Sequence, residues 1–212
     1  MVVVRNSQDG PITDKSHQTG FRERLLCENC EGQFSQYEVY ASNNLLNLTL
    51  PLPQSARDLL NTVQVSDYAK LKLFLISLLW RVGVARHDFF SCVDLGPHAA
   101  RLREMLYAED PGEPDEYGCQ ITRLLPEKHI PVDRLLATPR STRIFGHHGC
   151  LIYFRGFVFH YYVSSHGIPA GVRQAFVNKN GQLLIMWMRL KMIPPLLDMW
   201  RRYVAASRQS KS

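Results

Sequence analysis

The chain has 212 residues, 45% of them hydrophobic, which is enough to bury one ordinary core. The longest near-apolar run, Leu73 to Ala85, is broken by Ser77 and Arg81 and is too short to span a bilayer. No apolar leader follows Met1, and five cysteines make an odd count that fits a reducing cytoplasm rather than a disulfide scaffold. The net charge is +6, but it is unevenly spread. Residues 1–119 hold 11 Lys/Arg against 16 Asp/Glu, a net of −5, and residues 120–212 hold 14 against 3, a net of +11. A half so basic is expected to meet an anion, nucleic acid first, or to pack against the acidic half.

In chain order, residues 1–20 are polar and aperiodic and read as a flexible arm. Arg22 to Cys30 reads as a short strand and a Cys-x2-Cys knuckle. From Gln33 to Leu48, Phe34, Tyr37, Tyr40 and Leu45 fall near one helical face, and Pro51 and Pro53 stop the helix. Ser66 or Asp67 can cap a long helix to about Ala85, apolar nearly all round and so central. Pro97 suits the first turn of another helix, with Ala99, Leu102, Met105 and Leu106 inward and His98, Arg101 and Glu104 outward. Residues 109–116, with five carboxylates, two prolines and a glycine, form a loop. This loop marks the boundary between a helical part, 21–112, and a basic sheet part, 117–206, expected to form one compact unit.

Beyond that loop, strands are predicted over Gly118–Leu124, Cys150–Phe154 and Phe157–Val163, with a tight turn at Arg155-Gly156. A second hairpin is expected at Asn180-Gly181 between Gln174–Val177 and Gln182–Leu190. A helix follows from Pro195 to Ala206, then a frayed tail, 207–212. The fold class is therefore α+β: a knuckle-like turn and helices, an antiparallel sheet and a C-terminal helix.

Three constellations carry chemistry. Cys27 and Cys30 supply half a tetrahedral zinc shell; His147, His148 and Cys150 are candidates for the rest, with His17, Cys92 and Cys119 also of the right type. The same pair also reads as two reduced cysteines in a retained turn, or as a redox dithiol without the βαβ surroundings such motifs keep. A Cys150–His nucleophile lacks an acid, since residues 134–197 contain neither Asp nor Glu. Finally, Arg140, Arg143, Arg155, Arg173, Lys179, Arg189, Lys191, Arg201 and Arg202 alternate with Tyr153, Phe157, Tyr161 and Trp187. Arginines grip phosphates and exposed aromatics stack bases; buried aromatics would instead form one face of the sheet.

Phe21-Arg22-Glu23-Arg24-Leu25-Leu26-Cys27-Glu28-Asn29-Cys30-Glu31, followed by Phe34-Ser35-Gln36-Tyr37-Glu38, resembles a bacterial family related to HNH-endonuclease-type zinc-knuckle proteins. The resemblance runs through Trp80-Arg81, Val93-Asp94-Leu95-Gly96-Pro97-His98, Asp110-Pro111-Gly112-Glu113-Pro114 and Phe154-Arg155-Gly156-Phe157, over roughly residues 20–165. Fuller members carry an earlier Cys-x2-Cys and a Ser-His-Ile-Ile-Pro segment. The resemblance implies that the two cysteine pairs share one zinc and that the upstream histidine serves phosphodiester cleavage. This sequence has neither upstream element and is similar to a member lacking that lobe. Three functions follow as expectations: a cytoplasmic nucleic-acid-associated protein that grips the backbone without cutting; a metal-dependent nuclease using His129, His147 or His148; and a protein-interaction module, an inhibitor or defence-system accessory, for an acidic partner. No membrane partner is expected.

Overall fold

The computed structural model describes residues 2–4, 23, 25–128, 130–144, 146–163 and 167–209. Three helices build one layer. Helix α1, Glu28–Ala41, buries Phe34, Tyr37 and Ala41, one stripe at helical spacing, and runs into a π-turn at Ser42–Leu46 that buries Leu45. The predicted strand ending at Cys30 is corrected here: Cys27 is the extended N-cap residue of α1, and Glu28 to Cys30 are already helical. Helix α2, Tyr68–Val84, starts where the Asp67 carboxylate accepts from the Lys70 backbone N–H at 2.9 Å. It buries Leu71, Leu73, Phe74, Leu75, Ile76, Leu79 and Val82, so it is central, as its all-round hydrophobicity implies. Helix α3, His98–Tyr107, begins after Pro97 and buries Leu102, Met105 and Leu106. Arg101 and Glu104 are exposed as expected, whereas His98 is half-buried, its Nδ1 3.1 Å from the Tyr117 hydroxyl.

Seven strands make one sheet: β1 (Val2–Val4), β2 (Leu60–Gln64), β3 (Cys119–Leu124), β4 (Leu135–Ile144), β5 (His147–Phe154), β6 (Phe157–Tyr162) and β7 (Gln182–Met188), in the order β1-β4-β5-β6-β3-β7-β2. Four pairings are antiparallel; β1–β4 and β3–β7 are parallel, so the sheet is mixed. Val2–Val4 is thus an edge strand where the sequence reads as an arm; residues 5–20 lie outside the described residues. The β5–β6 hairpin turns at Arg155 (φ 50°) and Gly156 (φ 76°), two consecutive positive φ angles whose twist matches that of the strands.

The second predicted hairpin does not form. Gln174–Val177 is not a strand. It follows the short helix α4, Ala170–Arg173, and β7 pairs instead with β2 and β3. Asn178 and Gly181 still close a turn, the Gly181 N–H donating to the Asn178 carbonyl at 2.8 Å. At Gly181 (φ 81°) an added Cβ would strike the Val65 carbonyl, so the turn there needs glycine. Because β2 comes from the N-terminal half and caps one edge of the sheet, the two halves form one unit.

Alternation along the strands sends side chains to two cores. Ile121, Cys150, Ile152, Phe157, Phe159, Tyr161, Leu183 and Ile185 pack against α1–α3. Leu124, Leu135, Ala137, Leu151, Tyr153 and Val158 pack against Leu190, Ile193, Leu196 and Met199, which bring in the last helix, α5, Pro194–Gln209. The sheet is therefore sandwiched between helices on both faces. Helix α5 continues through Ser207 to Gln209, where the sequence reads as a frayed tail.

Candidate functional site: a dithiol cleft and a basic helix face

Cys27 and Cys30 sit at the start of α1, one turn apart, with their sulfurs 3.3 Å apart. Cys27 is exposed and Cys30 half-buried. Cys27 makes no capping hydrogen bond of ordinary geometry. Nevertheless the Cys30 backbone N–H, and then its thiol, hold the Cys27 thiol below the usual range, and Cys27 in turn raises Cys30. Both face a cleft of about 410 Å³ between α1, α2 and α3, walled by Phe34, Trp80, Val84 and Leu106, with Arg103 and Tyr107 at the rim. The Arg103 guanidinium lies 5.1 Å from the centre of the Tyr107 ring.

The sulfurs stand closer together than the ~3.8 Å tetrahedral edge implied by zinc–sulfur bonds of about 2.3 Å. The described residues hold no group of three or more Cys, His, Asp or Glu suited to a metal, so Cys150, His147 and His148 do not join them. Cys150 points from mid-strand into the α1–α3 core, where burial pushes its thiol up to about 12, and Cys119 is buried there too and raised further. His147 and His148 begin β5, half-buried and exposed respectively. His17, His129 and His166 lie outside the described residues. On mid-strand His160, burial lowers the pKa to about 4.

The predicted cations separate into three kinds. Arg173 and Lys179 are engaged by the 109–116 loop, at 3.4 Å from Asp115 and 2.6 Å from Glu113. Arg143 donates locally to the Gly146 carbonyl, and Arg155 donates across to the Asn47 side-chain oxygen of the N-terminal half. Arg189, Lys191, Arg201 and Arg202 gather on α5 and the turn before it, all exposed, while half-buried Arg140 lies on the sheet face that α5 covers. Sequence reading missed Lys128 and Arg134. Both are exposed on the β3–β4 connection, which packs on the start of α5 through Ile130 and Val132 and through Glu127, whose carboxylate accepts from the Leu190 N–H at 2.8 Å. Their sequence separation from α5 hides the proximity.

Among the described residues, the three carboxylates in this neighbourhood are already occupied. Glu127 holds that N–H, Asp133 pairs with Arg123 at 2.7 Å, and Asp198 lies 3.9 Å from Arg201. The proposed stacking aromatics are not available, because Tyr153, Phe157, Tyr161 and Trp187 are all buried.

Fold and site thus define an α+β protein with a mixed sheet between helical layers, a vicinal dithiol on one side and a cationic helix face on the other. No protein-family model, curated protein or solved structure matches the chain. Among the described residues no helix is long and apolar enough to cross a membrane.

Proposed function

We propose that this protein binds the phosphate backbone of nucleic acid, without cutting it, through the face built by α5, the turn before it and the β3–β4 connection. The observation that supports this reading is the exposure of Lys128, Arg134, Arg189 and Lys191 on the β3–β4 connection and the turn before α5, continued by Arg201 and Arg202 on the helix, where the described carboxylates Glu127, Asp133 and Asp198 are already engaged, Asp198 by Arg201. Exposed cations on a helical face suit sequence-independent phosphate contact, and binding then releases counterions. With Tyr153, Phe157, Tyr161 and Trp187 buried, the sheet offers bases no stacking platform, so the cations carry the contact and DNA and RNA of equal charge density are expected to bind comparably.

The test is fluorescence anisotropy of the full chain with duplex DNA and with RNA across salt concentration. Affinity should fall linearly with salt on logarithmic axes. The double substitution Arg189→Glu/Lys191→Glu should weaken binding about tenfold or more and flatten the slope by roughly two contacts. Absence of binding at low salt, or binding indifferent to salt, overturns the reading and favours an acidic protein partner for the same face.

A further inference from the structure

Cys27 and Cys30 differ from the other cysteines in access and in company. Cys119 and Cys150 are sealed in the core, and Cys92 is exposed but lies on a separate turn. At 3.3 Å, the two sulfurs at the start of α1 are close enough that side-chain rotation alone brings them toward the roughly 2.05 Å of a disulfide. The exposed sulfur and the half-buried one stand in the relation of attacking and resolving thiol. Beside them the cleft adds what a bare helix end lacks: apolar walls from Phe34, Trp80 and Leu106, the Gln33 amide, and the Arg103 guanidinium at the mouth. Among the described residues Arg103 is the only cation lining that cleft, and it stands against Glu28 and Glu31 in the first turn of α1 as the group that would attract an anionic substrate.

We propose that Cys27 and Cys30 form a thiol–disulfide exchange site that takes small acidic disulfides of the glutathione type. The Cys27 thiolate attacks one sulfur of the disulfide; a Cys27–S–S–R bond forms and the first thiolate leaves, taking a proton from solvent. Cys30 loses its proton to solvent and attacks the Cys27 sulfur. The mixed disulfide breaks, the second thiolate leaves and is protonated, and a Cys27–Cys30 disulfide remains. Two protein thiols are oxidised by two electrons while one small disulfide is reduced to two thiols. The 410 Å³ cleft holds the non-reacting part of the substrate, with its carboxylates toward Arg103.

The test uses the full chain with Cys92→Ser as background, incubated with oxidised glutathione and followed by intact mass and peptide mapping. The expected product is a Cys27–Cys30 disulfide, two hydrogens lighter. Cys30→Ser should instead trap a glutathione adduct on Cys27, while Cys27→Ser should gain adduct several-fold more slowly. Arg103→Ala should slow oxidation by glutathione disulfide about two- to fivefold more, the scale of one exposed charge pair, than it slows oxidation by uncharged hydroxyethyl disulfide; equal slowing of both overturns the role of Arg103. The proposal fails if Cys27 and Cys30 stay reduced, if the two single variants label at equal rates, or if the purified protein holds stoichiometric zinc that blocks both thiols. None of these outcomes depends on nucleic-acid binding, which occupies another face.

Discussion

The acidic loop at 109–116 and the ground around α5 carry opposite charge and meet it in opposite ways. Every carboxylate of the loop has a partner: Glu109 accepts from Gln33, Asp110 from the Gly112 N–H, Glu113 from Lys179, Asp115 pairs with Arg173 and Glu116 with Arg101. Beneath it the buried Lys72 ammonium donates to the carbonyls of Pro114, Glu116 and Tyr117 at 3.2, 2.7 and 3.3 Å. The loop is thus a clasp that consumes its charge internally. On the α5 side the described cations outnumber the described carboxylates, and Tyr153, packed under α5, has a buried hydroxyl with no hydrogen-bond partner among the described residues. The contrast teaches where to look for an external partner. Charge that folding has already neutralised is structural, whereas exposed Arg189 and Lys191, in no ion pair among the described residues, are available.

Breaking the clasp should have the largest effect. Lys72→Met keeps the volume but orphans three carbonyls, that of Tyr117 buried and those of Pro114 and Glu116 part-buried, and should cost about 2–4 kcal/mol in chemical denaturation. Burial lowers the Lys72 pKa to about 8, below its unfolded value, so the unfolded chain holds the proton more tightly. Stability should therefore rise with pH from about 8 toward about 10.4, and Lys72→Met should abolish that rise.

His160 sharpens the contrast from the α5 side. Its folded pKa of about 4 lies below the unfolded value, so the unfolded state protonates first as pH falls. Stability should be lost between about pH 6.5 and pH 4, by at most roughly 3 kcal/mol. His160→Phe should flatten that limb of a stability–pH curve. Smaller still, Arg189→Glu/Lys191→Glu should move stability by no more than about 0.5 kcal/mol while weakening nucleic-acid binding, because neither side chain is engaged in an ion pair among the described residues. The smallest effect belongs to Lys179→Ala. Its pair with Glu113 is exposed on both sides and should contribute about 0.5 kcal/mol or less to a thermal melt, fading with salt.

Much of the helical layer was legible because its signals are local. Asp67 caps α2, Pro97 precedes α3, and Leu196, Met199 and Trp200 give α5 its stripe. The Arg155-Gly156 turn was legible for the same reason, since a two-residue hairpin is decided by its own φ angles. Strand β4 was not. Pro139 removes a ladder donor and argues against a strand, yet it sits at the register shift between Ala137 and Arg140, where the pairing is already broken. Strand β2 is a short edge with exposed Leu60 and Gln64, and nothing in Leu60-Asn61-Thr62-Val63-Gln64 points to β7, more than a hundred residues away. Asn180-Gly181 was read as a hairpin because it is a strong turn signal, but a turn does not choose its partner strand.

The same division runs through the candidate sites. Composition alone set the basic second half, the scarcity of acids after Asp133 and the Cys-x2-Cys spacing, because these belong to the covalent chain. Which cations are neutralised was decided only when the acidic loop folded over Lys72 and reached Arg173 and Lys179. Which thiols remain accessible was decided by strand alternation, which turns Cys150 into the core, and by a helix that begins at Cys27. Local propensity acts through neighbours in sequence. Electrostatic pairing and burial act through space, and only the packed sheet and its two helical layers bring those neighbours together.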